Sequence, residues 1–375
     1  MKELLRPRPE LLITVVGIGG CGCNTINMLS ENEFSNSVNL IAVNTDLAVL
    51  NHTNVESKIL VGENLTNGYG AGADPAIGLK AAEESEDALR HAIQGSDILI
   101  ITAGFGGGTG TGASPFLAKL AREQGINCLA VVTLPFESES KMRMDYALQG
   151  IADIKEPAQA YITLSNDLLL KGLGESVGLF SAFKQSNDVL KNLLTSLVQM
   201  LTQTGFINVD INDFARILSY EGESVLGVGK AESEEQAFSA LEQALNNPLV
   251  SLADIDTAQG VIIQICCKNE ISLGTYDGLI TQVKSKLVND AALVIAGVTL
   301  DPDLTCDIEI LLIASGILSD PDAKSENKVK TANSESSYLG EDLTFISEEG
   351  DYMDIPTVVR QFMENEKQKQ HSIGG

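Results

Sequence analysis

The sequence predicts an α/β protein. A mostly parallel sheet covered by helices on both faces would come first, then a long helix, then a second, smaller α/β domain. Three observations predict this. Short apolar runs alternate with helical patterns through the first 170 residues, an unbroken three-and-four spacing follows, and a second strand–helix set lies beyond it.

The candidate strands of the first part are residues 12–16, 39–43, 58–61, 97–102, 128–134 and 160–164, each rich in Val, Ile and Leu. Helical patterns lie between them at 75–94, 114–122 and 141–154, and Pro75 stands at a first helical position behind the capping residue Asp74. From residue 179 to 204, Phe180, Phe183, Leu190, Leu193, Leu194, Leu197, Val198 and Leu201 recur on one helical face. Strands are expected again at 260–267, 292–298 and 306–315, with a helix at 276–287. After Gly316 the composition turns to Ser, Asn, Asp, Glu and Lys, as in a flexible linker, and no repeat of 20–50 residues is visible.

Composition narrows the function. The 375 residues carry 51 acids against 25 bases, a net charge of −26, which argues against a nucleic-acid or anionic-membrane surface. Residues 318–375 account for 12 of the acids and 6 of the bases, so most of the negative charge belongs to the folded part. Six cysteines without a CxxC pair, and three histidines, describe neither a disulfide framework nor a zinc module and fit a reducing, cytoplasmic compartment. The start MKELLRPRPELLITVV does not read as a secretory signal. The uncharged run 98–118 is long enough to span a bilayer, but its six glycines make it strand, loop and helix start instead.

Two glycine-rich loops carry the chemistry. The first, Gly17-Ile18-Gly19-Gly20-Cys21-Gly22-Cys23-Asn24, follows the strand LLITVV and opens a helix. The second, Gly104-Phe105-Gly106-Gly107-Gly108-Thr109-Gly110-Thr111-Gly112, follows DILIIT and opens another. Glycine allows close backbone approach, so that successive N–H groups converge on phosphate oxygens, and each helix N-terminus adds partial positive charge. Thr109 and Thr111 offer hydroxyls. Two such loops at the strand ends of one sheet suggest a polyphosphate between them. Gly17, Gly19 and Gly22 also spell GxGxxG, and Asp46 lies 24 residues further on, so the first loop alone fits a dinucleotide site or a plain tight turn. The second loop is the more specific, because a packing turn gives no reason for GGGTGTG. No Walker A sequence is present.

With these loops in view, the chain resembles the tubulin/FtsZ family from about residue 12 to 317. GFGGGTGTGAS looks like the family's signature loop, and NTD at 44–46, LTNGYGAGADPAIG at 65–78 and TLPFESESKMRM at 133–144 match further pocket loops in order. The resemblance implies a Rossmann-type GTP-binding domain over 1–178, a central helix over 179–204, and a C-terminal GTPase-activating domain over 205–317. A flexible linker (318–350), a partner-binding peptide (351–363) and a variable tail (364–375) would complete it.

The resemblance further implies that Gly19, Gly20, Cys21 and Gly22 line the phosphates and ribose, and that Gly106, Gly107, Gly108, Thr109, Gly110 and Thr111 cradle the phosphates. Ala71, Gly72 and Ala73 would close over the γ-phosphate. Glu139 and Arg143 would sit by the ribose with Asn166 close to it, while Phe183 and Asn187 read the guanine. Asn24, Asn44, Gly104 and Pro135 would complete the pocket. Read without the family, Phe183 fits core packing equally well. Mg²⁺ would ride on the phosphates.

The stretch from Gly205 to Asp213 contains Asn208, Asp210 and Asp213. By spacing alone, Asp210 and Asp213 are a helix cap and a first-turn acid. By resemblance, they form the family's synergy loop, which completes the GTP site of the next subunit in a head-to-tail homopolymer, the cell-division ring. A family member that assembles or caps filaments with weak or no hydrolysis is the alternative. The tail segment DYMDIPTVVR resembles the peptide that docks on membrane tethers of the FtsA and ZipA type, through Asp354, Ile355, Pro356, Val359 and Arg360, with Val358 beside them. Cys21, Cys23 and Ser140 stand where the family usually has glycine.

Overall fold

The computed structural model describes residues 11–31, 34, 38–167, 179–202, 205–246, 255–289 and 291–317, with the side chains of 179–186 excepted. The readings of the linker and of Asp354, Ile355, Pro356, Val358, Val359 and Arg360 lie outside the described residues, as do those of the Phe180 and Phe183 side chains.

The first six strands are β1 (Ile13–Ile18), β2 (Val38–Asn44), β3 (Ser57–Leu60), β4 (Ile98–Gly104), β5 (Asn127–Leu134) and β6 (Ala160–Ser165). They lie parallel in the order β3-β2-β1-β4-β5-β6. Sheets covered on both faces need apolar residues at every position, which is why these strands read as continuous Val/Ile runs. The strand order reverses between β1 and β4, so the helices that follow these neighbours leave on opposite faces. Helix α1 (Gly19–Leu29) buries Ile26 and Leu29 in the core that contains Ile13, Val15, Ile98 and Ile100. Helix α2 (Leu47–His52) lies beside α1 on the same face, its Leu50 buried with Cys23 and Ala42. On the other face lie α3 (Glu63–Thr66), α4 (Pro75–Glu84), α5 (Glu86–Ile93), α6 (Gly108–Glu123) and α7 (Lys141–Lys155); α4 to α7 pack on Val16, Leu99, Ile101 and Val132.

The central helix α8 (Leu179–Thr202) places Leu190, Leu193, Leu194, Leu197 and Val198 in the first core, as the spacing predicts. Helix α9 (Ile211–Leu218) follows it, capped by Asp210. The remaining elements are β7 (Glu223–Ala231), α10 (Ala237–Leu245), β8 (Gly260–Cys267), α11 (Leu273–Lys286), β9 (Leu293–Leu300) and β10 (Ile308–Ile317). Strands β7, β10, β8 and β9 continue the same sheet, joined to β6 through the single pair Ile162↔Ser224. The inner face of this part shares the first core with α8, and its outer face packs α10 and α11 in a separate core.

Three sequence expectations change. The helix expected over 75–94 is two helices, because Ser85 leaves helical geometry and its hydroxyl accepts the Gly62 N–H at 3.0 Å. The helix expected at 114–122 begins at Gly108, so much of the second glycine run is helical rather than loop. Strand β7 and helix α10 went unannounced because small residues replace the usual pattern. A Cβ on Gly227 or Gly229 would sit 2.0 Å from the Ala244 carbonyl oxygen or 1.8 Å from that of Ala240, so the helix lies directly on the strand.

Burial pushes the Cys128 and Cys266 thiols up to about 12, from an ordinary value of 9.0. Since the folded-state values are raised, the stability these thiols carry is whole below about pH 9 and is lost as the pH climbs towards 12. Urea denaturation at pH 8 and pH 10 is expected to give the lower midpoint at pH 10, and Cys128→Ala to reduce the difference.

Candidate functional site

A cleft of about 410 Å³ opens at the carboxyl ends of β1 and β4, where the strand order reverses. Its walls are Gly19, Gly20, Cys21 and Asn24 on one side and Gly104, Phe105 and Gly107 to Gly110 on the other. Thr133, Leu134, Pro135, Glu139, Arg143, Asn166 and Asn187 close the rim. Size does not single this cleft out, since a hollow of about 730 Å³ lined by Arg122, Lys155 and Tyr161 is larger. Convergent donors do.

Helices α1 and α6 both start in the cleft wall. Neither has a side-chain cap, and neither has an acid in its first turn. Helices α2, α4, α7, α9 and α11 instead have side-chain caps, from Asp46, Asp74, Ser140, Asp210 and Ser272. An α-helix leaves its first N–H groups without an internal partner, so two uncapped N-termini facing one cleft hold a set of donors aimed at an anion. Side-chain charge contributes little. Among the described lining residues the charged ones are Glu139 and Arg143, and these pair with each other at 2.6 Å. The other Glu139 oxygen accepts the Phe136 N–H at 3.0 Å, so the pair shapes the rim loop.

The glycines divide into two kinds. Gly20 and Gly107 have nothing within 4 Å of a built Cβ, so a side chain there would enter the cleft. Gly22, Gly108, Gly110 and Gly112 are required by packing. A Cβ on Gly22 would lie 2.5 Å from the Thr102 carbonyl oxygen, and one on Gly112 would lie 2.1 Å from that of Pro75. The second run is thus partly a packing surface for α4, contrary to the expectation that packing gives no reason for it. Gly106 (φ +96°) takes a left-handed turn beneath the rim, with its N–H held by the Thr111 hydroxyl at 2.9 Å.

Most of the residues expected in the pocket come together here; four stand behind its wall. Gly22, Gly106 and Thr111 are buried, and Asn44 bonds the Cys23 sulfur at 3.7 Å and accepts the Asp46 N–H at 3.2 Å. Thr109 lines the cleft with its hydroxyl 2.7 Å from that of Thr45, tying the loop after β2 to the start of α6. Ala71, Gly72 and Ala73 form a loop packed against Gly108, with Gly72 and Ala73 both at φ +60°. The structure adds Phe105, Thr133 and Leu134, flanking Gly104 and Pro135 at the ends of β4 and β5. Their position at a strand terminus next to a glycine loop was the available signal. Asp46, the ribose acid of a dinucleotide reading, caps α2 instead, at 2.8 Å from Ala48 N.

Cys21 fills the hollow left by Gly104 and lies 3.5 Å from the Thr133 hydroxyl. Burial raises its pKa, so it stays a neutral thiol at physiological pH.

Asn208, Asp210 and Asp213 are not part of this cleft. Asp210 Oδ1 accepts the N–H groups of Asn212 and Asp213 at 2.8 and 2.9 Å, Asn208 Oδ1 accepts the Gly205 N–H, and Asp213 lies in the first turn of α9.

The family model for the Tubulin/FtsZ GTPase domain matches residues 12–174, and that for the FtsZ C-terminal domain matches residues 222–318. The chain is 35% identical over 383 residues to the cell division protein FtsZ of Wigglesworthia glossinidia brevipalpis, covering 96% of this chain and 99% of that one. It is 38% identical over 320 residues to cell division protein FtsZ 1 of Methanocaldococcus jannaschii, covering 85% and 87%. An empty FtsZ dimer from M. jannaschii matches with TM-score 0.77 and 37% identity, over 84% of this chain and 90% of that one. The GDP-bound CetZ1 monomer of Haloferax volcanii, 19% identical, shares the fold with TM-score 0.72 over 86% of this chain and 100% of that one. Fold, cleft and matches together define a GTPase of the tubulin type. The chain belongs to the FtsZ family, whose matched relatives are cell-division proteins.

Two alanine substitutions separate binding from folding. Gly20→Ala is expected to leave stability within about 0.5 kcal/mol while weakening GTP binding about tenfold or more, equivalent to losing one contact of roughly 1.4 kcal/mol. Gly112→Ala is expected to cost roughly 1–3 kcal/mol of stability by overpacking α4 against α6. Nucleotide titration and chemical denaturation of both variants check this.

Proposed function

We propose that this GTPase assembles head to tail into the cell-division ring and that each GTP is hydrolysed at a contact between two subunits. One observation carries the reading. Asn187, in the cleft wall, and Thr202, at the end of the same helix, are fifteen residues apart, which is about 22 Å at the rise of an α-helix. The loop that begins beyond Thr202 therefore serves the opposite end of the molecule from the cleft. Asp210 and Asp213 act on GTP only when a second subunit brings its cleft to them.

The surface supports this reading. Phe206, in the loop, is 92% exposed and Leu273, lining the same hollow, 80%, while Tyr69, just before the loop of Ala71 to Ala73, is 89% exposed. Large exposed apolar side chains at both ends suit a contact between ends. In that contact the uncapped N-termini of α1 and α6 hold the phosphates, Asn187 and Phe183 read guanine, and Glu139, Arg143 and Asn166 border the ribose. Ala71 to Ala73 close the γ-phosphate side. The neighbour's Asp213 polarises the attacking water, and Asp210 keeps the loop in shape while adding its charge. Phosphoryl transfer depends mainly on positioning and electrostatics, so carboxylates delivered by assembly switch it on.

Mg²⁺ belongs on the phosphate oxygens. An ion of this kind retains most of its waters and needs few protein ligands. The bound ion offsets phosphate charge, and between subunits this acidic it also lowers repulsion. Recruitment to a cytoplasmic, mid-cell site is assigned to the peptide with Asp354, Ile355, Pro356, Val359 and Arg360, read by tethers of the FtsA and ZipA type.

Mixing tests the shared site. Asp213→Ala is expected to bind GTP without turnover, and a cleft variant such as Gly107→Trp to lose binding. A mixture of the two is expected to regain turnover, because the first supplies a loaded cleft and the second an intact loop. Silence of the mixture at concentrations where both pellet together would refute the sharing.

A further inference from the structure

The inner face of the C-terminal sheet, where it meets the central helix, has an apolar middle, with the buried Ser224–Ser315 hydroxyl pair towards one end and a row of polar residues towards the other. Cross-strand pairing places Lys230, Glu309, Cys266 and Thr299 directly opposite one another on β7, β10, β8 and β9. Gln264 follows two residues before Cys266 on the same face. This row is bonded at both ends. Glu309 accepts from Ser196 of the central helix at 2.6 Å and pairs with Lys230 at 2.9 Å. At the other end Gln264 Nε2 donates to Thr299 Oγ1 at 2.9 Å.

Thr299 lies under the start of the loop that carries Asn208, Asp210 and Asp213. A Cβ on Gly205 would sit 2.6 Å from Thr299 Oγ1 and 3.0 Å from Asn208 Oδ1, so the loop backbone rests on that hydroxyl. Ile207 and Val298 exchange two backbone hydrogen bonds, at 3.1 and 2.8 Å, which pin the loop to the edge strand next to Thr299. Gly297 supplies the space for the Gln264 amide, since a Cβ there would lie 2.0 Å from its oxygen. Gln264 and Thr299 are 3% and 5% exposed, and a buried amide without its acceptor is costly. The amide thus holds the threonine in one rotamer, and the threonine fixes the height of Gly205 above the sheet.

We propose that Gln264 and Thr299 are positioning residues for hydrolysis: they touch neither nucleotide nor water, and set where the neighbour-facing carboxylates stand. This rests on the reading of residues 205–213 as the hydrolytic element.

The experiment compares Thr299→Val, which keeps the shape and removes the acceptor, with Thr299→Ser, which keeps the hydroxyl, in the full-length chain. GTP affinity, KM, pelletable fraction and kcat per assembled subunit are measured for each. Thr299→Val is expected to lose kcat on the order of 10- to 100-fold through displacement of the loop, with affinity, KM and assembly within twofold of wild type. Thr299→Ser is expected to restore turnover, and Gln264→Leu to behave like Thr299→Val. Wild-type turnover in Thr299→Val would overturn the proposal. So would equal losses in the valine and serine variants, or a loss matched by lost nucleotide affinity or assembly. Asp213→Ala is run alongside. Unchanged turnover there would remove the reading of the loop itself, an outcome distinct from failure at Thr299.

Discussion

The site depends on one electrostatic arrangement: two helix N-termini, uncapped and free of first-turn acids, that open on the same cleft. Each helix start leaves backbone donors unsatisfied. Five other described helices meet that need with a side chain, as Asp46 and Asp74 do for α2 and α4. At Gly19 and Gly108 no side chain does, and the two starts face each other across the point where the sheet reverses its strand order. The fold places them there because β1 and β4 are neighbours whose helices leave on opposite faces. A strongly acidic chain can therefore bind a polyphosphate with scarcely any lysine or arginine, using peptide dipoles in place of side-chain charge.

The cleft reaches the rest of the molecule through α8. Its apolar face joins the two parts of the sheet in one core, and the Ser196–Glu309 bond is a polar contact within that largely apolar interface. A buried polar contact contributes little net stability compared with an apolar one, but it disfavours sliding, because a shift of register would strand the carboxylate. The same carboxylate belongs to the row that runs from Lys230 to Thr299. Nucleotide end and loop end are thus connected by a stiff helix and by a sheet whose polar residues tolerate few registers.

Legibility followed the physics of each element. Strands buried on both faces announce themselves as Val/Ile runs, and Leu190 to Val198 as a helical stripe, since burial demands those patterns locally. Strand β7 was hidden because Gly227 and Gly229 are there to admit the backbone of α10, a demand made by a distant helix. The break at Ser85 was hidden for the same reason, its partner being Gly62. Within the pocket, Gly20 and Gly107 look identical in sequence to Gly22 and Gly112. The first pair leaves open space and the second admits neighbouring backbone. Asp210 shows that both sequence readings of a residue can stand together, for it is a helix cap inside the proposed hydrolytic loop.

The sequence by itself determined the class: strand–helix alternation, two glycine runs at strand ends, and an ordered series of loop motifs follow from local chemistry and from spacing. Only the tertiary structure decided which glycines face the cleft, that Asn44 and Thr111 stand behind its wall, and that Gln264 and Thr299 lie under the loop with Asp210. Those assignments depend on which side of a glycine is open and which strands are neighbours. Both are properties of residues far apart along the chain, and no local pattern carries them.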